Sequence, residues 1–183
     1  PVWQSADGSE QLVVGSLDEL KKHTKKSGNT YFMMRHGEAE GNARHFFDSD
    51  GITTNGLTDN GRAQIEEHIQ DLKTKGITKI YASPLLRTRE TAEWVARALG
   101  ISKDAIAYDD RLREFKFGEF DGKDSLKEFF AFREQNPFDC PVPGGESYLD
   151  AKRRFGNFLY ELESSSSGEN ILIVTHGLGL ESF

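Results

Sequence analysis

Residues 31–42 read YFMMRHGEAEGN, and their reading decides the fold. An apolar run, Tyr31, Phe32, Met33 and Met34, stops abruptly at Arg35, His36 and Gly37. A buried strand has this pattern where it delivers polar side chains to the rim of a sheet, the place where open α/β sheets bind their ligands. A second run, Ile171, Leu172, Ile173 and Val174, stops at Thr175, His176 and Gly177 in the same way. Two strands that each end in His-Gly predict two imidazoles brought together at one edge of a parallel sheet.

Between these runs the chain alternates strand and helix. Leu57, Thr58 and Asp59 open a helix expected to reach about Lys75, with Thr58 as its cap, Ala63, Ile65, Ile69 and Leu72 as its apolar face and Gly76 as its stop. Residues 79–82 form a short strand. Ser83 and Pro84 begin the next helix, which runs to about Leu99 and closes at Gly100. This order implies right-handed crossovers and a parallel sheet covered on both faces. Further on, Tyr108 belongs to a strand, residues 111–122 read as a loop, 126–133 as a short amphipathic helix, 136–145 as turns, 147–162 as a long helix and 170–175 as the last strand. The expected fold class is α/β: a three-layer α/β/α sandwich with a mostly parallel central sheet.

Composition narrows the function. The 183 residues suffice for one domain with a substantial core, and 23 Lys and Arg against 30 Asp and Glu give a formal charge of −7. That balance argues against a nucleic-acid surface, so an anionic substrate must be held by a local cluster of cations. A single cysteine, Cys140, excludes an internal disulfide and fits a reducing compartment. No apolar run approaches transmembrane length, and the first residues, PVWQSADGSE, lack a signal-peptide layout. A cytoplasmic chain without a membrane partner is expected.

Arg35, His36, Gly37 and Glu38 with Asn42, then Leu57, Thr58 and Gly61, then Ser83, Pro84 and Leu85 with Arg87 and Thr91, then Glu114 with Gly118 and Gly122, then Gly145, Glu146 and Ser147, and last His176 and Gly177 form an ordered set. This set resembles the histidine phosphatase (phosphoglycerate mutase-like) superfamily over residues 29–183. The resemblance implies metal-independent phosphomonoester hydrolysis through a phosphohistidine on His36, with Glu114 as proton donor and His176 as a second active-site histidine. Arg35, Asn42, Arg87 and the Gly177 amide are implied as phosphate ligands. No cofactor is implied, and the partner is a small phosphorylated metabolite or nucleotide. Members of the family continue further, so truncation after Phe183 is expected. Mutase-type phosphoryl transfer is the alternative activity; a short, loop-like region between Glu114 and Glu146, with little material for an enclosing lid, favours hydrolysis.

Residues 1–28 lie outside this pattern. An apolar stretch at 12–14 and a helix capped by Ser16, with Glu19 three residues on, are expected there. The segment resembles the part of isoleucyl-type tRNA synthetases that follows a PIW-like turn, which implies a phosphatase domain inserted in or fused to a synthetase, or a non-catalytic phosphate-binding module appended to one. A tRNA partner would then come only through the fused synthetase. The other reading is a short amphipathic helix that leads into the fold.

The residue types suit phosphoryl transfer. A phosphate monoester carries about two negative charges, and its transfer needs an in-line nucleophile and cations around the equatorial oxygens. Neutral imidazole is a competent nucleophile when its other nitrogen is held by an acceptor. Guanidinium groups give paired, charge-assisted hydrogen bonds to phosphate oxygens. Arg87 and Arg89, two apart on a helix, cannot both point inward, and the resemblance assigns the phosphate to Arg87. Glu38, Glu119 and Asp121 contest the role of Glu114, while His23, His45 and His68 read as surface or structural residues, with a minor substrate-contacting role open to His45 and Arg44 in the loop after Asn42, and Cys140 reads as inert. There is no zinc-ligand spacing such as His-Glu-x-x-His or paired cysteines.

Overall fold

A computed structural model describes residues 2–4, 10–12, 22, 27–49, 51, 54–122 and 124–177. Strands β1 (Val2–Gln4) and β2 (Glu10–Leu12) pair antiparallel, Trp3 opposite Gln11. The helix expected from Ser16 lies outside the described residues except at Lys22, which is helical.

The main sheet has four parallel strands. β3 (Thr30–Arg35), β4 (Lys79–Ala82), β5 (Ile106–Tyr108) and β6 (Asn170–Thr175) lie in the order β3-β6-β4-β5. β6 is the central strand, and its run of buried residues from Ile171 to Thr175 is what a parallel sheet covered on both faces requires. Leu172 and Val174 join one core with Ile80, Ala82 and Ile106; Ile171 and Ile173 join another with Leu112 and Phe155. The alternation of side chains along one strand thus feeds two layers. β3 departs from expectation. It stands at the edge of the described sheet, and Met33 is 40% exposed. An apolar run cannot distinguish a central strand from an edge strand.

Five helices surround the sheet in the described residues: α1 (Glu40–Ala43), α2 (Asp59–Thr74), α3 (Leu86–Leu99), α4 (Leu126–Gln135) and α5 (Tyr148–Ser165). α2 and α3 supply Ile65, Ile69, Ala92 and Val95 to the first core, and α5 supplies Phe155, Phe158 and Leu159 to the second. Thr58 caps α2 by accepting the Gly61 N–H at 3.0 Å, and Ser147 caps α5 in a reciprocal box with Asp150. Ala63, expected on the buried face of α2, is exposed; Gly61, four residues before Ile65, takes that place. α3 begins at Leu86 rather than at Ser83, because the chain bends at Pro84 and Leu85 after leaving β4 and Leu85, still extended, is the cap. Gly100, at φ 73°, closes the helix in the left-handed conformation.

A third cluster lies off the sheet. Phe115, Phe117 and Phe129 are buried together with Val142 and Ala151, and Phe47 stacks on Phe117 with centroids 3.7 Å apart. α4 is the short amphipathic helix expected at 126–133, extended to Gln135, and it adds Phe129 to this cluster.

Gly61 has a steric reason. A Cβ there would fall 2.0 Å from the Glu38 carbonyl oxygen, and one on Gly37 would fall 2.4 Å from the Gly61 oxygen. The start of α2 therefore packs directly against the backbone that follows His36. Gly61→Ala is expected to lower the unfolding free energy in urea by about 1–3 kcal/mol, whereas Ala63→Gly, on the exposed face of the same helix, costs about 1 kcal/mol.

Candidate active site

Strand register assembles the site. Arg35 lies opposite Thr175, and the His36 N–H donates to the Thr175 carbonyl at 3.0 Å, so the two strands end side by side. On the other flank of β6, the Ser83 N–H donates to the Val174 carbonyl at 3.0 Å. Three neighbouring strands thus deliver His36, His176 and Ser83 to one sheet edge. The His36 and His176 ring centroids are 5.1 Å apart.

The tautomer of His36 follows from its partners. Its Nδ1 lies 2.7 Å from the Gly37 carbonyl, which can only accept, and its Nε2 lies 3.1 Å from Arg87 Nε, which can only donate. Nδ1 therefore carries the proton and Nε2 presents the lone pair. Burial, then the positive charge of Arg87 and, more weakly, Arg35, hold the ring's pKa down from its ordinary 6.5 to about 3, against the opposing pull of the Gly37 carbonyl. The imidazole is neutral across the physiological range.

Arg87 is buried, and a buried guanidinium needs a counter-charge. Asp48 supplies it, with Oδ2 at 3.1 Å from Nη1 and its backbone carbonyl at 2.8 Å from Nη2. Asp48 is itself held by the Asn55 side chain at 2.7 Å and the Gly51 N–H at 3.0 Å. Arg89 is exposed, with its guanidinium 4.8 Å from the centroid of Tyr108. Thr91, one helical turn beyond Arg87, accepts the Gly37 N–H at 3.3 Å.

Glu114 is buried, with one oxygen accepting the N–H of Phe115 at 2.9 Å. Burial raises its pKa, and the Phe115 amide and the charges of Arg87, Arg35 and Arg154 pull the other way. Its other oxygen lies 3.8 Å from His176 Nδ1. His176 is fully buried, and burial followed by Arg87 and His36 drives its pKa well below the usual range. Both groups are thus pushed towards their neutral forms, and their contact is not an ion pair. His176 Nε2 pairs with the Ser83 hydroxyl at 2.8 Å, while Nδ1 has no hydrogen-bond partner among the described residues.

Arg154, on α5, fixes the backbone around Glu114. Its guanidinium donates to the carbonyls of Arg111 and Arg113, both at 2.7 Å, and of Glu114 at 3.1 Å. Glu146 grips the same guanidinium through both carboxylate oxygens, at 2.7 and 3.1 Å.

These groups surround a cleft of about 290 Å³, lined by Arg35, His36, Asn42, Arg87, Glu114 and Gly177, with His45 and several phenyl rings completing the wall. Every residue singled out in the sequence for catalysis or phosphate binding lines it except His176, which lies behind. Asn42 spends its side-chain oxygen on the Ala39 N–H at 2.9 Å, leaving its amide nitrogen as the donor. Gly177 packs on Arg35, whose guanidinium carbon would lie 3.3 Å from a Cβ at that position. Of the competing acids, Glu38 accepts the Thr58 hydroxyl at 2.7 Å, Asp121 accepts the Ser49 amide at 2.9 Å and Glu119 is exposed; none lines the cleft. His68 is exposed and Cys140 is not in the wall, whereas His45, read as a surface residue, is in the wall with its backbone at φ 56°. His23 lies outside the described residues. No group of three His, Cys, Asp or Glu residues among the described residues is placed to hold a metal ion.

Sequence reading missed Asp48, Asn55 and Arg154. An acid in a loop and a basic residue inside an amphipathic helix carry no local signal. Glu146 belonged to the resemblance, but its function as the partner of Arg154 needed coordinates.

The histidine phosphatase superfamily (branch 1) matches residues 31–183. The chain belongs to this superfamily. The 2,3-bisphosphoglycerate-dependent phosphoglycerate mutase of Parvibaculum lavamentivorans is 33% identical over 164 residues, covering 84% of this chain and 77% of the relative. Among solved structures, YhfR of Bacillus stearothermophilus superposes with a TM-score of 0.70 at 28% identity, over 85% of this chain and 77% of its own. A mycobacterial glucosyl-3-phosphoglycerate phosphatase complexed with VO3 gives 0.68 at 25% identity, over 82% and 76%. The phosphoglycerate mutase-like three-layer fold read from the sequence is therefore the observed one. No described helix is long and apolar enough to cross a membrane.

The depressed pKa of His36 has a thermodynamic consequence. Between pH 6.5 and about 3 the unfolded chain binds a proton at this position that the folded chain refuses, so stability falls as the pH is lowered through that window. The slope is about 1.4 kcal/mol per pH unit for each such proton. Urea unfolding across this range should show His36→Gln with a shallower loss than the wild type.

Proposed function

We propose that this chain hydrolyses phosphate monoesters through a phosphohistidine on His36. The observation that carries the reading is the fixed tautomer of His36, which presents a neutral Nε2 lone pair to a cleft that also holds Arg35 and Arg87. Nε2 attacks phosphorus, the bond from phosphorus to the ester oxygen breaks, and the Glu114 carboxylic acid gives its proton to the departing alkoxide. The Nδ1–H stays on the Gly37 carbonyl and shares the positive charge that the ring acquires. Glu114, now a carboxylate, takes a proton from water as the water oxygen attacks phosphorus. The phosphorus–nitrogen bond breaks, inorganic phosphate leaves, and His36 and Glu114 return to their starting forms.

The cations have separate tasks. Arg35, Arg87, the Asn42 amide and the Gly177 N–H bind the equatorial oxygens, and Arg87 exchanges its contact with Nε2 for one with phosphate. His176 Nδ1, which has no hydrogen-bond partner among the described residues, donates to the transferred group; the dianion there favours the protonated ring that burial disfavours. Exposure of Arg35, Asn42 and His45 leaves the cleft open to water, which favours hydrolysis over transfer back to a bound acceptor. The named mutase relative supports the second reading, phosphoglycerate mutase-type transfer.

Turnover of an aryl phosphate with chelator present, together with trapping of acid-labile phosphate, tests the proposal. Wild type should turn over and trap phosphate; His36→Ala should lose both. Interconversion of phosphoglycerates exceeding hydrolysis would favour the mutase, and absence of turnover and trapping in the wild type would leave a non-catalytic phosphate-binding module.

Glu114 gives a separate check. Glu114→Gln should slow hydrolysis of an alkyl phosphate by about 10²–10⁴-fold and an aryl phosphate by much less, because a phenolate leaves without a proton. Since the raised pKa extends the acid form upward, kcat/KM for the alkyl ester should fall as pH rises through a value above the ordinary carboxylate range, and this limb should vanish in Glu114→Gln.

A further inference from the structure

The phosphate end of the cleft is polar, and the remainder is not. Phe46, Phe47, Phe117, Leu126, Phe129 and Phe130 line it. Phe47, Phe117 and Phe129 belong to the third core, with centroids 3.7–5.2 Å apart, and are needed for packing. Phe130 is different. It is 53% exposed, on the face of α4 that meets the cleft, and its ring lies 5.5 Å from Phe129. Among the described large apolar residues that are exposed, it is the one in the cleft wall.

The charge distribution points the same way. The described cations of the wall are Arg35 and Arg87, with His36 and His45 as titratable neighbours, and the proposed reaction commits both arginines to phosphate. Among the described wall residues, a carboxylate elsewhere on the substrate would face phenyl rings, whose faces carry partial negative charge, with the exposed His45 imidazole as the one group outside the phosphate end that could pair with it. At about 290 Å³ the cleft has room for a phosphate and one compact group.

Resting on the phosphohydrolase reading above, we propose that the substrate is the phosphomonoester of an alcohol bearing an uncharged apolar or aromatic group, and that Phe130, with Phe46 and Leu126, determines this specificity. The apolar group lies against α4 while phosphate lies against His36.

The test compares 2-phenylethyl phosphate with O-phosphoserine and 3-phosphoglycerate, all with alkoxide leaving groups, so that differences report recognition. Wild type is expected to favour the phenyl ester in kcat/KM by about tenfold or more. Phe130→Ala should erode that preference by about three- to tenfold, losing more on the phenyl ester than on O-phosphoserine. Equal or better use of the carboxylated esters would overturn the proposal and leave the phosphohistidine reading intact. A preference unchanged in both Phe130→Ala and Phe46→Ala would overturn the assignment of the wall. No turnover of any ester and no trapped phosphate would overturn both readings.

Discussion

The in-register pairing of β6 with its two neighbours is the constraint on which the site depends. A parallel ladder fixes which residues lie abreast, and a slip of one residue would turn every side chain to the opposite face. With Arg35 opposite Thr175, the next residues of the two strands are the paired histidines, and Ser83 leaves β4 beside them. The buried side chains of β6 lock this register from both sides, because Leu172 and Val174 belong to one core and Ile171 and Ile173 to the other. Precision at the site is inherited from the apolar sheet.

Electrostatic arrangement is the second layer. His36 is held as a neutral imidazole because it is buried beside two guanidinium groups, and one of these, Arg87, is itself buried and paired with Asp48. The same burial favours the neutral form of Glu114, the form that can give a proton. Desolvation thus prepares the base-like and acid-like partners in opposite senses. The Arg154–Glu146 pair holds three carbonyls around Glu114 without entering the cleft. Its value lies in position, since removing either charge would leave the other poorly paired.

Much of this was legible in the sequence. The four strands, the cap at Thr58, the long helix from about Ser147 and the convergence of His36, Arg87, Glu114 and His176 follow from apolar runs that end in polar residues and from the family pattern. What was not legible depended on tertiary placement. Edge or centre for β3, burial of Gly61 in place of Ala63, and the pairing of Asp48 with Arg87 are each decided by residues far away in the chain. His45 shows the converse. Its place in the loop after Asn42 left only a minor substrate-contacting role open to it, and in the structure it lines the cleft with its backbone turned to positive φ after α1.

Sheet order also bears on how the molecule reaches its fold. β6, the last described strand, inserts between β3 and β4, two strands made much earlier. During synthesis those two have no shared partner until residues 170–175 emerge, so the sheet closes through contacts between distant parts of the chain, which form slowly because of the loop entropy they cost. Until then the apolar faces of β3 and β4 are open to other chains, a period of aggregation risk that local helix formation in α2 and α3 shortens only in part. His36 and His176 meet only when β6 pairs with β3, so the site takes shape late, through the pairing of segments about 140 residues apart.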